Sequence, residues 1–173
     1  MNFEYAEILL TLAEVSVAFA GFASLASLFG RSQRAEKTTV DAMRMMNMLT
    51  ASLSATLLSL IPIVFVSLQL QEKEIWRYSG AVAFVVWGLA TYFIRGRAKR
   101  TRATEGFSRK ASVINTLLSM TVSVLFLVCI AGFLANSFAA YFSALLGMLA
   151  VSGILFFRLI ESLFNEPVKS REQ

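Results

Sequence analysis

Long uncharged runs dominate this sequence and restrict what it can fold into. No charged residue occurs in the 27 positions between Arg44 and Glu72, the 17 between Arg77 and Arg95, or the 47 between Lys110 and Arg158. A helix that crosses a bilayer needs about 20 predominantly apolar residues. Charged residues make up only 16% of the chain, whereas soluble domains carry about 25%. The pattern therefore predicts a polytopic membrane protein.

The longest uncharged run is too long for one membrane helix. As one helix, its 47 residues would reach ~70 Å, more than twice the ~30 Å hydrocarbon core. The segment Ala135-Asn136-Ser137 lies near its middle and predicts a tight turn. We expect an all-α bundle of five transmembrane helices, forming a single membrane domain over residues 1–173. The predicted spans are 5–29, 45–70, 78–94, 112–134 and 138–160.

The placement of lysine and arginine predicts the direction of the spans. With five alternating spans, 14 of the 16 basic residues fall on one side of the membrane, and only Lys73 and Arg77 fall on the other. Basic loops favour the cytoplasmic side, so we expect the N-terminus outside and the C-terminus in the cytoplasm. The chain has the general character of small bacterial inner-membrane proteins, and the bacterial inner (plasma) membrane is the location that we expect.

The inventory of reactive residues argues against an enzyme. The chain has no histidine, one cysteine (Cys129) and one aspartate (Asp41). It therefore lacks the commonest general base, paired aspartates and an intramolecular disulfide. The spans also leave no loop long enough for a soluble domain, which needs about 50 residues or more. We expect no catalytic site, no metal site and no cofactor.

The most basic segment follows the third predicted span. It carries five residues for which we predict contact with anionic lipid headgroups: Arg95, Arg97, Lys99, Arg100 and Arg102. The positive-inside bias and attraction to anionic lipid explain this cluster. Aromatic residues are not interleaved among these positions for base stacking, so we expect no nucleic-acid partner.

Glu14 is the charged residue that is hardest to place outside the membrane. Only 16 uncharged residues separate it from Arg31, which is ~24 Å of helix, so the first span has to extend back through Glu14. This puts the carboxylate several ångströms inside the outer boundary. Spacings of three and four residues place one set on a single face of this helix. The set is Glu7, Thr11, Glu14, Ala18, Gly21 and Leu25.

An intramembrane carboxylate usually faces a bundle interior or water, which supports the hypothesis of an ion or proton site. We assign Glu14, Glu7 and Thr11 of the first span to this site. Ser59 of the second span and Ser123 of the fourth are included because both lie at a suitable depth. The alternative is a structural role, in which Glu7 is interfacial and hydroxyl groups cap Glu14.

Two further spans carry polar residues at helical spacing. The stripes are Asn47, Thr50 and Ser54 in the second span and Asn115, Ser119 and Ser123 in the fourth. Such groups usually bond to neighbouring helices, and the alternative is that they line an aqueous path. Pro62 in the second span is expected to free a backbone carbonyl, because proline has no N–H to donate.

Small residues in several spans favour close helix packing within or between subunits. Two functions fit these features. The first is a homo-oligomeric channel or ion-coupled transporter that uses the intramembrane carboxylate, with its pore between copies. The second is a non-catalytic membrane subunit or scaffold that binds another membrane protein through its small-residue faces.

Overall fold

The computed structural model of the protein describes residues 3–33, 39–101, 109–132 and 136–164. These ranges contain five α-helices and no strand, which confirms the predicted all-α class. All five helices are long and apolar enough to cross a membrane, as the charge pattern predicts. They are α1 (Phe3–Gln33), α2 (Thr39–Ser67), α3 (Glu72–Thr101), α4 (Arg109–Ala131) and α5 (Ser137–Phe164).

The helix ends differ from the predicted span ends where polar residues continue a helix. α3 begins at Glu72, six residues before the predicted start at Tyr78. Its first turn carries Glu72 and Glu74, and acidic side chains stabilise a helix N-terminus through the helix dipole. Hydropathy does not detect this turn because the turn is charged. α2 instead ends at Ser67, before the predicted end of the second span at Leu70. Gln69 in the following turn has a φ of 57°, which is incompatible with a continuing helix.

The turn between α4 and α5 lies where the polar break predicts it. Gly132 has a φ of 67°, and its N–H donates to the carbonyls of Val128 and Cys129. A left-handed glycine of this kind ends a helix. Asn136 then caps α5, since its side-chain oxygen accepts a hydrogen bond from the Ala139 N–H at 3.1 Å. The predicted end of the fourth span at 134 lies outside the described residues.

The contacts between helices place α2 and α5 at the centre of the bundle. α2 packs against α1, α3 and α5, and α5 packs against all four other helices. α1 packs only on α2 and α5, and within the described ranges it does not touch α4. α1 and α4 are therefore edge helices, and each leaves a broad side uncovered.

An aromatic cluster fills the end of the bundle where α1, α3 and α5 begin, here called the aromatic end. Trp76 of α3 is only 3% exposed and contacts the rings of Tyr5, Phe138 and Tyr141. The opposite end carries Arg97 and is here called the basic end. The buried tryptophan shows that α1, α3 and α5 are held together by packing at the aromatic end.

Pro62 frees a carbonyl group in α2, as predicted, and α5 supplies its partner. In a regular helix the Leu58 carbonyl accepts from the N–H of residue 62, which proline lacks. The Tyr141 hydroxyl donates to this carbonyl at 2.7 Å, and Tyr141 is fully buried. The hydrogen bond joins the two central helices at the point where the α2 ladder is interrupted.

Candidate functional site on the first helix

The polar face predicted for the first span points away from the bundle. All six of its residues are exposed: Glu7, Thr11, Glu14, Ala18, Gly21 and Leu25. This set is called the Glu14 face below. The sequence alone leaves open whether this face meets the interior, and the structure puts it on the outer surface of the protomer.

The side of α1 opposite the Glu14 face carries the contacts with α2 and α5. Leu9, Leu12, Ser16 and Ala23 are buried there, and the Ser16 hydroxyl donates to its own helix at the Leu12 carbonyl, 2.7 Å away. At 100° per residue, the Glu14 face is centred almost diametrically opposite these residues. It is therefore the part of α1 that lies farthest from the rest of the bundle.

Two ring contacts give the level of Glu14 along the bundle. Tyr5 stacks on Phe138 with ring centroids 4.0 Å apart, and Phe19 packs edge-on against Phe156 at 6.2 Å. Glu14 lies between Tyr5 and Phe19 in α1, so it lies level with the middle of α5.

The carboxyl group of Glu14 has no hydrogen-bond or ion-pair partner among the described residues. Ser59 is fully buried inside the bundle, where its hydroxyl donates to the Ala55 carbonyl at 2.9 Å. Ser123 lies on α4, which does not contact α1, and donates to the Ser119 carbonyl at 3.0 Å. Within one chain, neither serine of the predicted ion site approaches the carboxylate. Ion binding by this set stays a prediction.

No family model, no curated protein and no solved structure matches this chain. The function is therefore inferred from the placement of its residues. Within the part of the chain that the structure describes, there is also no group of three or more histidine, cysteine, aspartate or glutamate side chains that could hold a metal ion.

The polar stripe of α2 meets a cation at the basic end. Arg97 of α3 donates from one terminal guanidinium nitrogen to the Asn47 side-chain oxygen at 3.3 Å and to the Thr50 hydroxyl at 3.2 Å. Asn47 is 3% exposed. Two predicted polar residues and one predicted lipid-contact residue thus form a bridge between α2 and α3.

The remaining stripe residues lie among the packed helices. Ser54 is buried in α2. The Ser119 carbonyl accepts a hydrogen bond from the buried Trp87 indole N–H at 3.3 Å, which joins α3 to α4. The side-chain oxygen of Asn115 is buried without a hydrogen-bond partner.

The other predicted lipid-contact residues are placed only in part. Arg95 is exposed at the basic end. Lys99 and Arg100 belong to α3, but their side chains are outside the described part of the structure, as is Arg102 altogether. Among the predicted lipid-contact residues whose side chains the structure describes, Arg95 is exposed and Arg97 is half-buried.

One buried polar contact has no signal in the sequence. The Ser52 and Ser152 hydroxyls are 2.6 Å apart, and Ser152 also donates to the Met48 carbonyl at 3.2 Å. Both serines are completely buried between α2 and α5. The pair is separated by 100 positions, so no local pattern predicts it.

Proposed function

We propose that this protein is a non-catalytic membrane subunit whose α1 docks another transmembrane helix on the Glu14 face. The observation that carries the proposal is the position of Glu14. Its carboxyl group lies level with the middle of α5, faces away from the bundle and has no partner among the described residues. In a bilayer this is the place where a polar group is least tolerated.

Covering Glu14 with a second helix removes an energetic penalty. A carboxylate at the centre of a membrane helix costs about 2.5–3.5 kcal/mol on insertion scales. A hydrogen bond across a helix interface in a membrane contributes ~0.6 kcal/mol on average, and the covering helix also excludes lipid from the carboxyl group. Ala18 and Gly21 follow Glu14 on the same face, and small residues allow two helix backbones to approach closely.

The packed interior favours docking over a pathway through one protomer. Trp87, Phe126 and Tyr141 are almost completely buried along the bundle. Met48 and Leu145 are also completely buried. Side chains of this size at native packing density leave little room for a continuous column of water. A site on the outer surface of α1 is compatible with such an interior.

The proposal includes an orientation and a location. The basic end faces the cytoplasm because five alternating spans put 14 of the 16 basic residues on that side, and basic residues favour the cytoplasmic side. The N-terminus and the Glu7 half of the Glu14 face are then nearer the outside. The bacterial inner membrane is the location that we propose.

Photo-cross-linking in native membranes tests the docking proposal. A photoreactive side chain at Ala18 lies on the Glu14 face, whereas one at Val15 is at nearly the same depth and also exposed (41%) but lies to one side. We expect an adduct with a transmembrane segment from position 18, weakened by Glu14→Leu, and little adduct from position 15. Equal yields at the two positions, or none at either, would contradict a docked helix.

A cation or proton pathway between copies is a second candidate, favoured by the polarity of one half of this face. Glu7, Thr11 and Glu14 occupy the half nearer the aromatic end, while Ala18, Gly21 and Leu25 occupy the other half. Rings of carboxylates select cations in channels. A ring of copies with α1 facing inward would line such a pathway.

Flux measurements in proteoliposomes separate this candidate from docking alone. A conducting assembly loses proton or cation flux in Glu14→Gln, because the amide does not ionise. The same variant keeps a hydrogen-bonding side chain for docking. If the unaltered protein shows no flux under conditions where copies associate, the pathway is contradicted. The docking function is compatible with that result.

A further inference from the structure

We infer that the basic end holds a binding site for the phosphate group of an anionic phospholipid, between α2, α3 and α5. The site consists of Arg44 of α2, Arg97 of α3 and Arg158 of α5, here called the arginine cluster. It is independent of docking on the Glu14 face. Three observations carry it: the depth of the arginines, their convergence between helices and the chemistry of the guanidinium group.

Depth is the first observation, because all three arginines lie where a candidate span reaches the basic end. Arg44 lies two residues after the α2 span begins at Ala42. Arg97 is the last residue of the α3 span, and Arg158 lies three residues before the α5 span ends at Glu161. The ends of apolar spans meet the headgroup region of a bilayer. The arginine cluster therefore lies at the depth of the lipid phosphates.

Convergence is the second observation, and contacts between α2 and α5 bring Arg44 and Arg158 to a similar level. The Ser152 hydroxyl of α5 donates to the Met48 carbonyl of α2 at 3.2 Å. Towards the basic end, Arg44 is four residues beyond Met48 and Arg158 is six beyond Ser152, which is ~6 Å and ~9 Å of helix. The two guanidinium groups are near enough to repel each other.

Arg97 joins the other two arginines through its contact with α2. It donates to the Asn47 side-chain oxygen at 3.3 Å, and Asn47 lies one turn from Arg44 on the same helix. Arg44 is only 9% exposed, and the other two arginines are half-buried. An arginine that snorkels extends its charged group outward into water, whereas these three are held between helices. Converging positive charges raise the local potential, which attracts an anion.

Chemistry is the third observation, because arginine favours phosphate as that anion. A planar guanidinium group donates two parallel hydrogen bonds to the oxygens of one phosphate group. Basic pockets between transmembrane helices bind anionic lipid headgroups. A phospholipid carries its phosphate at the depth of the arginine cluster, whereas a soluble phosphate has to enter from the aqueous side.

Thermal unfolding of the purified protein with added lipid tests the site. In a neutral detergent, we expect phosphatidylglycerol to raise Tm more than phosphatidylcholine, which has similar acyl chains but no net charge. The dependence of Tm on lipid concentration gives an apparent affinity. Arg158→Gln should weaken this affinity about tenfold, because it removes charge-assisted hydrogen bonds. Arg95→Gln removes the same charge from an exposed residue at the same end and should weaken the affinity about threefold at most.

Glu161→Gln provides a test of opposite sign. Glu161 is exposed, lies one turn from Arg158 and is within its electrostatic range. Replacing this carboxylate with an amide removes a competitor of the phosphate group. The affinity for phosphatidylglycerol should therefore rise about two- to fivefold. Because Glu161 lies on the surface, this variant should fold even if circular dichroism shows that Arg158→Gln does not.

Three outcomes would overturn the site. Equal weakening by Arg158→Gln and Arg95→Gln would show attraction to the general positive charge of the basic end. An unchanged affinity in Glu161→Gln would show that the lipid does not bind beside Arg158. If inorganic phosphate raises Tm as much as phosphatidylglycerol at the same concentration, the ligand is a soluble anion and not a lipid. These measurements do not involve α1, so each of these outcomes leaves docking on the Glu14 face unaffected.

Discussion

The Tyr141 hydroxyl replaces a backbone donor that Pro62 removes from α2. Its hydrogen bond to the Leu58 carbonyl is 2.7 Å long and lies in a completely buried position. Tyr141→Phe keeps the ring and leaves this carbonyl without a partner, which costs about 1–3 kcal/mol. We expect the free energy of unfolding in detergent micelles to fall by that amount, with the helical content of the folded state unchanged.

A double-mutant cycle shows whether the cause is the carbonyl group. Pro62→Ala restores an N–H at the position that normally serves the Leu58 carbonyl. Tyr141→Phe should therefore cost less in the Pro62→Ala background than in the unaltered chain, and the difference measures the coupling. Equal costs in the two backgrounds would contradict the explanation.

Arg97 and Arg95 are neighbouring arginines with different surroundings. Arg97 is half-buried and donates to Asn47 and Thr50, whereas Arg95 is exposed. Because hydrogen bonds from a charged group to buried acceptors are stronger than neutral ones, Arg97→Ala should destabilise the fold by about 1 kcal/mol after allowance for solvent screening. Arg95→Ala is the matched control and should stay within about 0.5 kcal/mol. Comparable losses in the two variants would contradict the bridge.

The sequence identifies Glu14 as exceptional but does not give its direction. In a soluble protein the apolar face of a helix points inward, so polarity orients the helix. In a bilayer both the buried and the lipid-facing sides of α1 are apolar, as buried Leu9 and exposed Val17 show. The same limitation explains why Ser59 and Ser123 cannot be assigned to a site with Glu14 from depth alone.

At the scale of helices, α5 contains two glycines with opposite roles. A Cβ at Gly147 would lie 2.6 Å from a side-chain carbon of buried Val122, so α4 and α5 approach closely there. A Cβ at Gly153 would meet nothing within 4 Å. Gly147→Ala should destabilise the bundle by about 1–3 kcal/mol through overpacking. Gly153→Ala should be neutral or stabilising by up to ~1 kcal/mol, because alanine favours a helix.

Thermal unfolding of the two glycine variants in the same detergent measures this contrast. Both substitutions add one methyl group to one helix, so changes in expression and hydrophobicity are matched. If the Gly147→Ala variant is as stable as Gly153→Ala, the Val122 side chain of α4 moves aside without lowering the stability of the bundle, which would contradict the overpacking.

The helices themselves are largely predictable, because the uncharged runs and the polar break at Asn136 depend on local composition. The start of α3 is not, since Glu72 and Glu74 extend a helix beyond its apolar part. Local sequence patterns also do not predict which residues contact each other between helices. Arg97 donates a hydrogen bond to Asn47, which is 50 positions away in the sequence. The sequence predicts a free carbonyl at Pro62, but it does not predict which helix supplies the donor.

At the scale of the whole molecule, the placement of charge predicts how the bundle sits in the membrane. An odd number of spans puts the termini on opposite sides, and the basic residues decide which side is cytoplasmic. Gln71 lies just before α3 at the aromatic end, and Arg95 lies near the other end of the same helix. Both residues are exposed, so single cysteines at these positions report on the two faces of the membrane.

We expect Gln71→Cys, in a Cys129→Ala background, to react with a membrane-impermeant maleimide added to intact cells. Arg95→Cys should react only after the membrane is permeabilised, because the basic end then faces the cytoplasm. The reverse pattern would show that the orientation is inverted, and the Glu7 half of the Glu14 face would then open towards the cytoplasm. Reaction of both cysteines from the same side would show that α3 does not cross the membrane, because one spanning helix cannot have both ends on one face.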